Sequence, residues 1–418
     1  MRSIQPQHTL TRRTMLVGMI GTAAQLTACG GGGGADVAGL SSGGTGSFTS
    51  GTISGLGSII VNGIRYNDDT ASLISRDDGS SFGDTLKVGM VVSIQGSPVT
   101  AATTTTGTAT ATAYQISCGS EWKGPVSSVD PTTTPLSFDM LGLTVEVLAS
   151  TVFEGGTTQN VVTQLTDLRT LLALTGVNQT FVEVHGYVDQ TTGHLQATRV
   201  EVSTTPPTQY KLSGMVNSLD GVNHTFKLGS STQPSNQISW DSATTVPTSW
   251  SNGIFVRVTM TPALLATHIR LLTSPVSQLS AEDEHDAEIH GFISSYTSNA
   301  DFIVNGIPVN ASGAQISGGT LAVGVRVEIH GRITNGVLVA TTVETPNNAT
   351  EASRQFEFHG TVSALNTTAK TFVLHGLTFA YDSNTNMHNI TLANGQRLEL
   401  KAVRASNGWL AKDIQIDN

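Results

Sequence analysis

The chain has 418 residues, of which only 12% are charged and 6% are aromatic, and its formal net charge is −10. A chain of this length is expected to form more than one domain. The acidic balance argues against nucleic-acid binding, which depends on lysine and arginine side chains that neutralise phosphates. The 44 glycines and the low charge favour an all-β protein with many short strands and turns.

The first 28 residues are predicted to be an export signal that is not part of the fold. They contain the pair Arg12-Arg13 and an apolar stretch from Met15 to Ala24, and they lead into Leu26-Thr27-Ala28-Cys29. This tetrad resembles the bacterial lipobox, which implies that Cys29 carries a lipid and becomes the first mature residue. The segment around Arg12-Arg13 is also similar to the twin-arginine export motif, so the twin-arginine and general secretory routes both stay open. Lipoproteins of this class that stay in the inner membrane usually carry aspartate after the cysteine, whereas this chain has Gly30, which implies an outer-membrane lipoprotein. Whether it faces the periplasm or the cell surface is left open.

Residues 29–50 are rich in glycine and serine and are predicted to form a flexible tether. Gly39–Gly43 within it matches the Gly-x-Ser-x-Gly pattern of hydrolases. That pattern requires a strand before it and a helix after it, so we interpret this match as chance.

One pattern then occurs five times. Each copy begins with Gly-x-Φ-Ser or Gly-x-Φ-Asn, where Φ is apolar, and continues with two short alternating segments around a turn such as Asn-Gly. Alternation with a period of two predicts strands with one buried face. The copies start at Gly51, Gly124, Gly214, Gly291 and Gly360, and the predicted modules span 51–118, 121–202, 211–272, 288–345 and 357–418.

The strand order within each copy predicts a small barrel of the OB type, because a sheet this small exposes its edges unless it closes. In the second copy, apolar residues between 161 and 172 lie at helical spacing and predict a short helix between the third and fourth strands. Linkers are predicted at 203–210, 273–287 and 346–356. The predicted fold class is all-β: a tandem array of about five small OB-like β-barrel modules behind a lipoprotein signal peptide and a tether.

The fourth copy is the most regular, so residues 288–346 are expected to fold in isolation. Its predicted core contains Ile289, Ile293, Ile303, Val327, Ile329 and Val343. Two of its phrases are Phe302-Ile-Val-Asn-Gly306 and the run Leu321–Gly331, LAVGVRVEIHG. They resemble a family of bacterial secreted repeat proteins that is known only as a domain of unknown function. The resemblance implies a fold and a location but no activity.

The sequence Glu-Φ-His-Gly occurs four times and is the clearest candidate for chemistry. It begins at Glu183, Glu288, Glu328 and Glu357. Residues i and i+2 of a strand share a face, so each glutamate and histidine project together. If the first and fourth strands of the fourth module pair antiparallel, His290 opposes Glu328 and Glu288 opposes His330, a set that could bind zinc.

A solvated ladder of cross-strand ion pairs is the alternative interpretation of these residues. The equivalent positions in the second and fifth modules carry Lys123 and Lys401. Lysine preserves the alternation of charge but is not a zinc ligand. We therefore expect no bound metal and no cofactor.

Several other residues have a less specific interpretation. The acidic run at 282–286 is predicted to be a hydrated spacer. Cys118 and Trp122 are predicted to lie in cores. The candidates for an exposed stacking surface are Trp240, Trp250 and Trp409.

The sequence contains no Ser/His/Asp order, no phosphate-binding loop and no HExxH helix, so no catalytic residue is assigned. The predicted function is a non-enzymatic structural or partner-binding repeat protein of the cell envelope, held to the membrane by its N-terminal lipid. One alternative is a carbohydrate- or peptide-binding surface protein. Another is an envelope enzyme with a site at a module interface. Whether the partner is a protein or a glycan is left open.

Overall fold

The computed structural model describes residues 46–102, 108–272, 285–346, 354–405 and 408–417. These residues form 28 strands and one helix, which confirms the all-β prediction. No helix in the described ranges is long and apolar enough to cross a membrane. The predicted signal peptide, Cys29 and the tether up to residue 45 lie outside the described residues.

The strands fall into five successive groups. Module 1 contains β1 (Gly46–Leu56), β2 (Ile59–Val61), β3 (Ile64–Asn67), β4 (Ser72–Ser75), β5 (Val91–Gly96) and β6 (Ala109–Cys118). Module 2 contains β7 (Trp122–Asp130), β8 (Leu136–Met140), β9 (Leu143–Gly155), α1 (Leu165–Thr175), β10 (Phe181–Val188) and β11 (Leu195–Ser203). Module 3 contains β12 (Tyr210–Asp220), β13 (Thr225–Leu228), β14 (Ile238–Ser239), β15 (Phe255–Met260) and β16 (Ala266–Leu271). Module 4 contains β17 (His285–Ser298), β18 (Asp301–Val304), β19 (Ile307–Asn310), β20 (Gln315–Ser317), β21 (Arg326–Thr334) and β22 (Val337–Glu344). Module 5 contains β23 (Phe356–Thr361), β24 (Ser363–Asn366), β25 (Thr371–Leu374), β26 (Leu377–Ala380), β27 (Arg397–Ala405) and β28 (Gly408–Ile416).

Each module closes into a small barrel. In module 4, β17 pairs with β18, β18 with β19, β19 in parallel with β22, β22 with β21, and β21 back with β17. Numbered within the module, this is the order 1-2-3-5-4-1 of an OB-type barrel. Modules 1, 2 and 5 have the same pairings, with the first strand of module 5 divided into β23 and β24. In module 3 the third and fifth strands meet through a single bridge from Ser239 to Leu265. The prediction of small OB-like barrels is confirmed.

The first glycine of the repeated pattern makes room for the turn between the second and third strands. In module 4 this turn is Asn305-Gly306, and both residues have positive φ, 51° and 78°, as a two-residue hairpin turn requires. A Cβ on Gly291 would overlap the Asn305 side chain, whose amide donates to the carbonyl of His290 at 2.7 Å. Asn62 lies over Gly51 in the same way in module 1. The glycine and the asparagine of the pattern are therefore two parts of one contact.

The serine of the pattern lies at a β-bulge. In module 4 the register of the first two strands shifts between Ile293 and Ser295, and Ser294 Oγ donates to the carbonyl of Ile303 at 3.2 Å. The equivalent hydroxyls of modules 1, 2 and 5, on Ser54, Ser127 and Ser363, donate to the carbonyls of Ile60, Asp139 and Val373. A bulge leaves backbone groups unpaired, so a hydroxyl at this position satisfies one of them.

The helix α1 lies between the third and fourth strands of module 2, as predicted. Leu165, Leu168 and Leu171 are buried, which agrees with the helical spacing of the apolar residues. Val161 precedes the helix and is exposed. The helix ends at Gly176, whose φ is 96°.

The barrels of modules 1, 4 and 5 are joined by strand pairing through β1, and those of modules 2 and 3 by a pairing of β7 with β12. Strand β1 pairs in parallel with β17 of module 4, from Gly46 opposite His285 to Ser50 opposite Ile289. Its far end pairs with β23 of module 5, where Gly55 lies opposite Glu357. Residues 46–50 were predicted to belong to the tether and 285–287 to a linker. Both predictions are wrong, because each segment finds a strand partner more than 200 residues away.

The core of module 4 also differs from the prediction at two places. Ile303 is only half-buried, whereas its neighbours Phe302 and Val304 are buried, so the alternation in this strand has the opposite phase to the predicted one. The other five predicted core residues are buried. Phe48 of β1 completes this core with an exposed fraction of 1%.

Candidate functional site

A groove of about 660 Å³ lies where modules 1, 2, 3 and 4 meet. Module 1 contributes side chains of β1, β5 and β6, module 2 contributes Tyr187 and Gln190, and module 4 contributes Asn305. Module 3 contributes residues 245–248 and parts of β15 and β16. The volume lies within the range of about 300–1,000 Å³ that is typical of small-molecule sites.

Uncharged polar side chains line the module 1 side of this groove. Ser93 faces Ser117, and Gln95 faces Gln115, across the antiparallel pair of β5 and β6. Ser50 extends the serine row onto β1, where its hydroxyl lies 3.3 Å from that of Ser93. We call these five residues the Ser/Gln ladder. They alternate along their strands with core residues, so their side chains point out of the barrel.

Most of the ladder is available to a ligand. Ser93, Gln95, Gln115 and Ser117 are half-buried. Among the described residues, the side chains of Gln95, Gln115 and Ser117 have no hydrogen-bond partner. Each amide offers two donors and one acceptor oxygen, so the ladder presents several unused hydrogen-bonding groups.

One end of the groove is formed by a charged network that joins modules 1, 2 and 3. Glu121 Oε1 lies 3.0 Å from Arg76 Nη1 and 2.6 Å from Arg257 Nη2. Arg257 Nη1 also lies 3.3 Å from Asp77 Oδ1, and Lys211 forms an ion pair with the same carboxylate. The five side chains are between 9% and 23% exposed, so the network is largely desolvated.

The charge of Glu121 is committed to this network. Burial alone would raise the pKa of this carboxyl, but the guanidinium groups of Arg257 and Arg76 outweigh burial and lower it below its ordinary value. The Ser213 hydroxyl donates to the other carboxylate oxygen at 2.6 Å. Glu121 is thus an ionised structural residue and a poor general base.

The pairing predicted for the Glu-Φ-His-Gly residues of module 4 is confirmed. Glu288 lies opposite His330 and His290 lies opposite Glu328 in the β17–β21 register. His290 Nδ1 lies 3.5 Å from Glu328 Oε1, and His330 Nδ1 lies 3.5 Å from Glu288 Oε2, which is outside hydrogen-bond geometry. His290 Nε2 lies 3.1 Å from Glu288 Oε1 on the same strand. The module therefore contains the predicted cross-strand ladder.

The prediction that this ladder is solvated is wrong. Glu288 is 2% exposed and His290 is 4% exposed. Thr49 of β1 lies beside Glu288 in the β1–β17 register, and its hydroxyl is 2.6 Å from the hydroxyl of Tyr66. Burial raises the pKa of Tyr66 to about 12, and the nearby charge of Glu288 contributes to the increase. Module 1 thus covers a face that an isolated barrel would expose to water.

Among the described residues, no group of three or more His, Cys, Asp or Glu side chains is placed to hold a metal ion. The absence of stoichiometric zinc stays a prediction, which elemental analysis of the purified protein tests.

The equivalent residues of modules 2 and 5 form ion pairs of the expected kind. Lys123 Nζ lies 2.6 Å from Glu183 Oε2 in module 2. In module 5, Glu357 lies opposite Lys401, and its Oε1 is 2.8 Å from His359 Nε2. Lys123 and Lys401 therefore occupy the positions that the histidines occupy in module 4, as the sequence predicts.

The remaining candidates have structural positions. Cys118 is fully buried, and burial raises the pKa of its thiol to about 11, which makes it unreactive. Trp122 is also buried, and its indole donates to the carbonyl of Ser213 at 2.8 Å. Both predictions of a core position are confirmed.

In the acidic run, residues 282–284 lie outside the described residues. Asp286 is buried in β17, 3.3 Å from Arg332, and is not part of a hydrated spacer.

The tryptophans do not form an exposed stacking surface. Trp409 is 6% exposed, and the guanidinium of Arg404 lies 4.6 Å from its ring centroid. Trp240 and Trp250 contact each other edge to face and pack against Phe226 of the module 3 core. Of the three candidates for such a surface, Trp409 is therefore excluded by its burial, and Trp240 and Trp250 are half-buried.

The fold and the groove define a protein of tandem OB-like barrels whose strands pair across modules to form two sheets, one from modules 1, 4 and 5 and one from modules 2 and 3. Residues 123–201, 290–344 and 359–415 match the family model of a domain of unknown function (DUF5666). These segments lie in modules 2, 4 and 5. None of the curated proteins compared with the chain matches it. The family description assigns no activity, so inferences about function depend on the geometry.

Sequence reasoning did not find the groove. Alternation along β5 and β6 shows that Gln95 and Gln115 point away from their own core. The alternation contains no information about which other module lies next to these two side chains. Only the pairing of β1 with β17 brings modules 1 and 4 together at this place.

Proposed function

We propose that the protein is a lipid-anchored, non-enzymatic binding scaffold of the cell envelope, held at the outer membrane through Cys29. The observation that carries this proposal is that β1 belongs to the module 1 barrel and also pairs with strands of modules 4 and 5. Strand pairing holds modules 1, 4 and 5 together, and the ion pairs of Arg76 with Glu121 and of Asp77 with Arg257 connect module 1 to modules 2 and 3. Such an arrangement keeps an inter-module groove preformed, which lowers the entropic cost of binding a partner.

The composition of the groove supports a non-enzymatic role. No histidine or cysteine is among the described residues that line it. Two of its carboxylates, those of Asp77 and Glu121, are held by arginine side chains. A broad hydrolase screen tests this part of the proposal. Turnover that is lost in Glu121→Gln while the fold is retained would establish the enzyme alternative.

The anchor is tested by replacing Cys29 with alanine. Each buried methylene of an acyl chain contributes about 0.8 kcal/mol, so the chains of a lipoprotein give effectively permanent attachment. The variant should move from the membrane fraction to the aqueous fraction and should no longer incorporate labelled fatty acid. A variant that still pellets with membranes and still incorporates label would show that Cys29 is not the anchor.

The binding role is tested by retaining envelope components on the immobilised protein. Ser117→Trp places a large side chain in the groove and should abolish retention. Gln315→Ala changes an exposed residue outside the groove and serves as the matched control. Equal retention by Ser117→Trp and by the unaltered protein would exclude the groove, and no retention by any of them would favour an inert spacer.

A further inference from the structure

We propose that the inter-module groove binds a neutral glycan along the Ser/Gln ladder. This inference rests on the proposed binding function and names its ligand class. Ser50 on β1 is 4% exposed, so the accessible hydroxyl and amide groups of the ladder lie on the adjacent strands β5 and β6, which are about 4.8 Å apart. That spacing is close to the length of one sugar ring, so successive rings of an oligosaccharide can each meet a new row of the ladder.

The charges of the groove favour an uncharged ligand. Its lining contains three arginines and three carboxylates, so they balance. Four of them, Arg76, Arg257, Asp77 and Glu121, are paired with one another, and Lys211, which lies outside this lining, also pairs with Asp77. The other two, Arg270 and Asp78, are of opposite sign, so the lining as a whole favours neither an anion nor a cation, whereas sugar hydroxyls match the donors and acceptors of Gln95, Gln115 and Ser117.

The strand pairing argues against an extended peptide. Peptides commonly bind by adding a strand to a free sheet edge. Here β5 is paired on both sides, by β1 and β6, and β1 is itself paired with β17. The ladder is therefore the face of a closed sheet. A peptide would leave most of its backbone groups without partners there, which is costly.

The module 3 part of the lining supplies apolar contact. Module 3 contributes Phe255, which is half-buried, and Val246, which is 41% exposed. A sugar ring has polar edges and an apolar face formed by its C–H groups. The lining offers the same combination, with amides from module 1 and hydrocarbon from module 3, which is typical of small-molecule sites.

The test titrates the whole chain with short neutral oligosaccharides of glucose, galactose, mannose and N-acetylglucosamine, using calorimetry. At least one should bind. The double variant Gln95→Ala/Gln115→Ala should weaken that binding about tenfold or more, because at least two hydrogen bonds are lost. Gln315→Ala, on an exposed strand outside the groove, should leave it unchanged. Thermal melting of the variants confirms that the fold is retained.

Three outcomes would overturn the inference. The first is that no neutral oligosaccharide binds at millimolar concentration. The second is equal affinity of the double variant and the unaltered protein. The third is stronger binding of an acidic oligosaccharide such as oligogalacturonate. If envelope components are still retained in a groove-dependent way after any of these, the scaffold function stands and only the ligand class is wrong.

Discussion

Replacing Phe48 with alanine tests whether the barrels depend on one another. Phe48 belongs to the first strand of module 1, but its side chain is in the core of module 4, where its exposed fraction is 1%. If the modules were independent, truncating a residue of module 1 would leave module 4 unchanged. The shared strand predicts instead that module 4 is destabilised.

The size of the effect follows from the buried area. An aromatic side chain buries about 150–250 Å², and at about 25 cal/mol per Å² this corresponds to roughly 4–6 kcal/mol. Alanine retains part of that area, while the cavity that remains adds a further cost. We therefore expect the free energy of unfolding to fall by about 3–5 kcal/mol.

Chemical denaturation of the whole chain, followed by circular dichroism, measures this change. Tyr114→Ala is the matched control, because Tyr114 lies on β6 of the same module and is 59% exposed. The control should change stability by less than about 0.5 kcal/mol. A loss below about 1 kcal/mol for Phe48→Ala would refute the reasoning, since it would show that module 4 does not need β1.

Three further predictions concern single modules. Gly291→Ala should destabilise the protein by roughly 1–3 kcal/mol because its methyl overlaps Asn305, and adding Asn305→Gly should restore much of the loss in a thermal melt. Burial lowers the pKa of His185 to about 4, below its unfolded value of about 6.5, so stability should fall as the pH drops between these values. His185→Gln should flatten that decline in urea titrations; an unchanged pH dependence would contradict the assignment. Val327→Ala should cost the whole chain roughly 2–3 kcal/mol in urea titrations, because Val327 is buried in module 4. Residues 288–346 alone lack Phe48 and the β1 partner of β17, so this fragment should be less stable than module 4 in the whole chain; equal resistance of its β-sheet circular dichroism signal to urea would contradict that dependence.

The sequence by itself determined the elements of each barrel. Period-two alternation placed the strands, helical spacing placed α1, and the repeated Gly-x-Φ-Ser/Asn marked each first strand. These signals succeed because they describe local contacts. Asn305 lies over Gly291 only fourteen residues along the chain, and Ser294 bonds to a strand that follows directly. The opposition of Glu288 to His330 was also predictable, because pairing within a closed barrel follows from strand order.

Only the tertiary structure decided how the barrels meet. Alternation shows that the side chains of Glu288 and Gln95 point away from their own barrel cores. It does not show whether they then contact water, another barrel or a groove. Glu288 turned out to be buried by module 1, while Gln95 lines the groove. The deciding contact joins Gly46–Ser50 to a strand that begins at His285, and a glycine- and serine-rich segment contains no pattern that specifies so distant a partner. Long-range pairing depends on surfaces that several distant strands build together, and a local sequence pattern describes only one strand at a time.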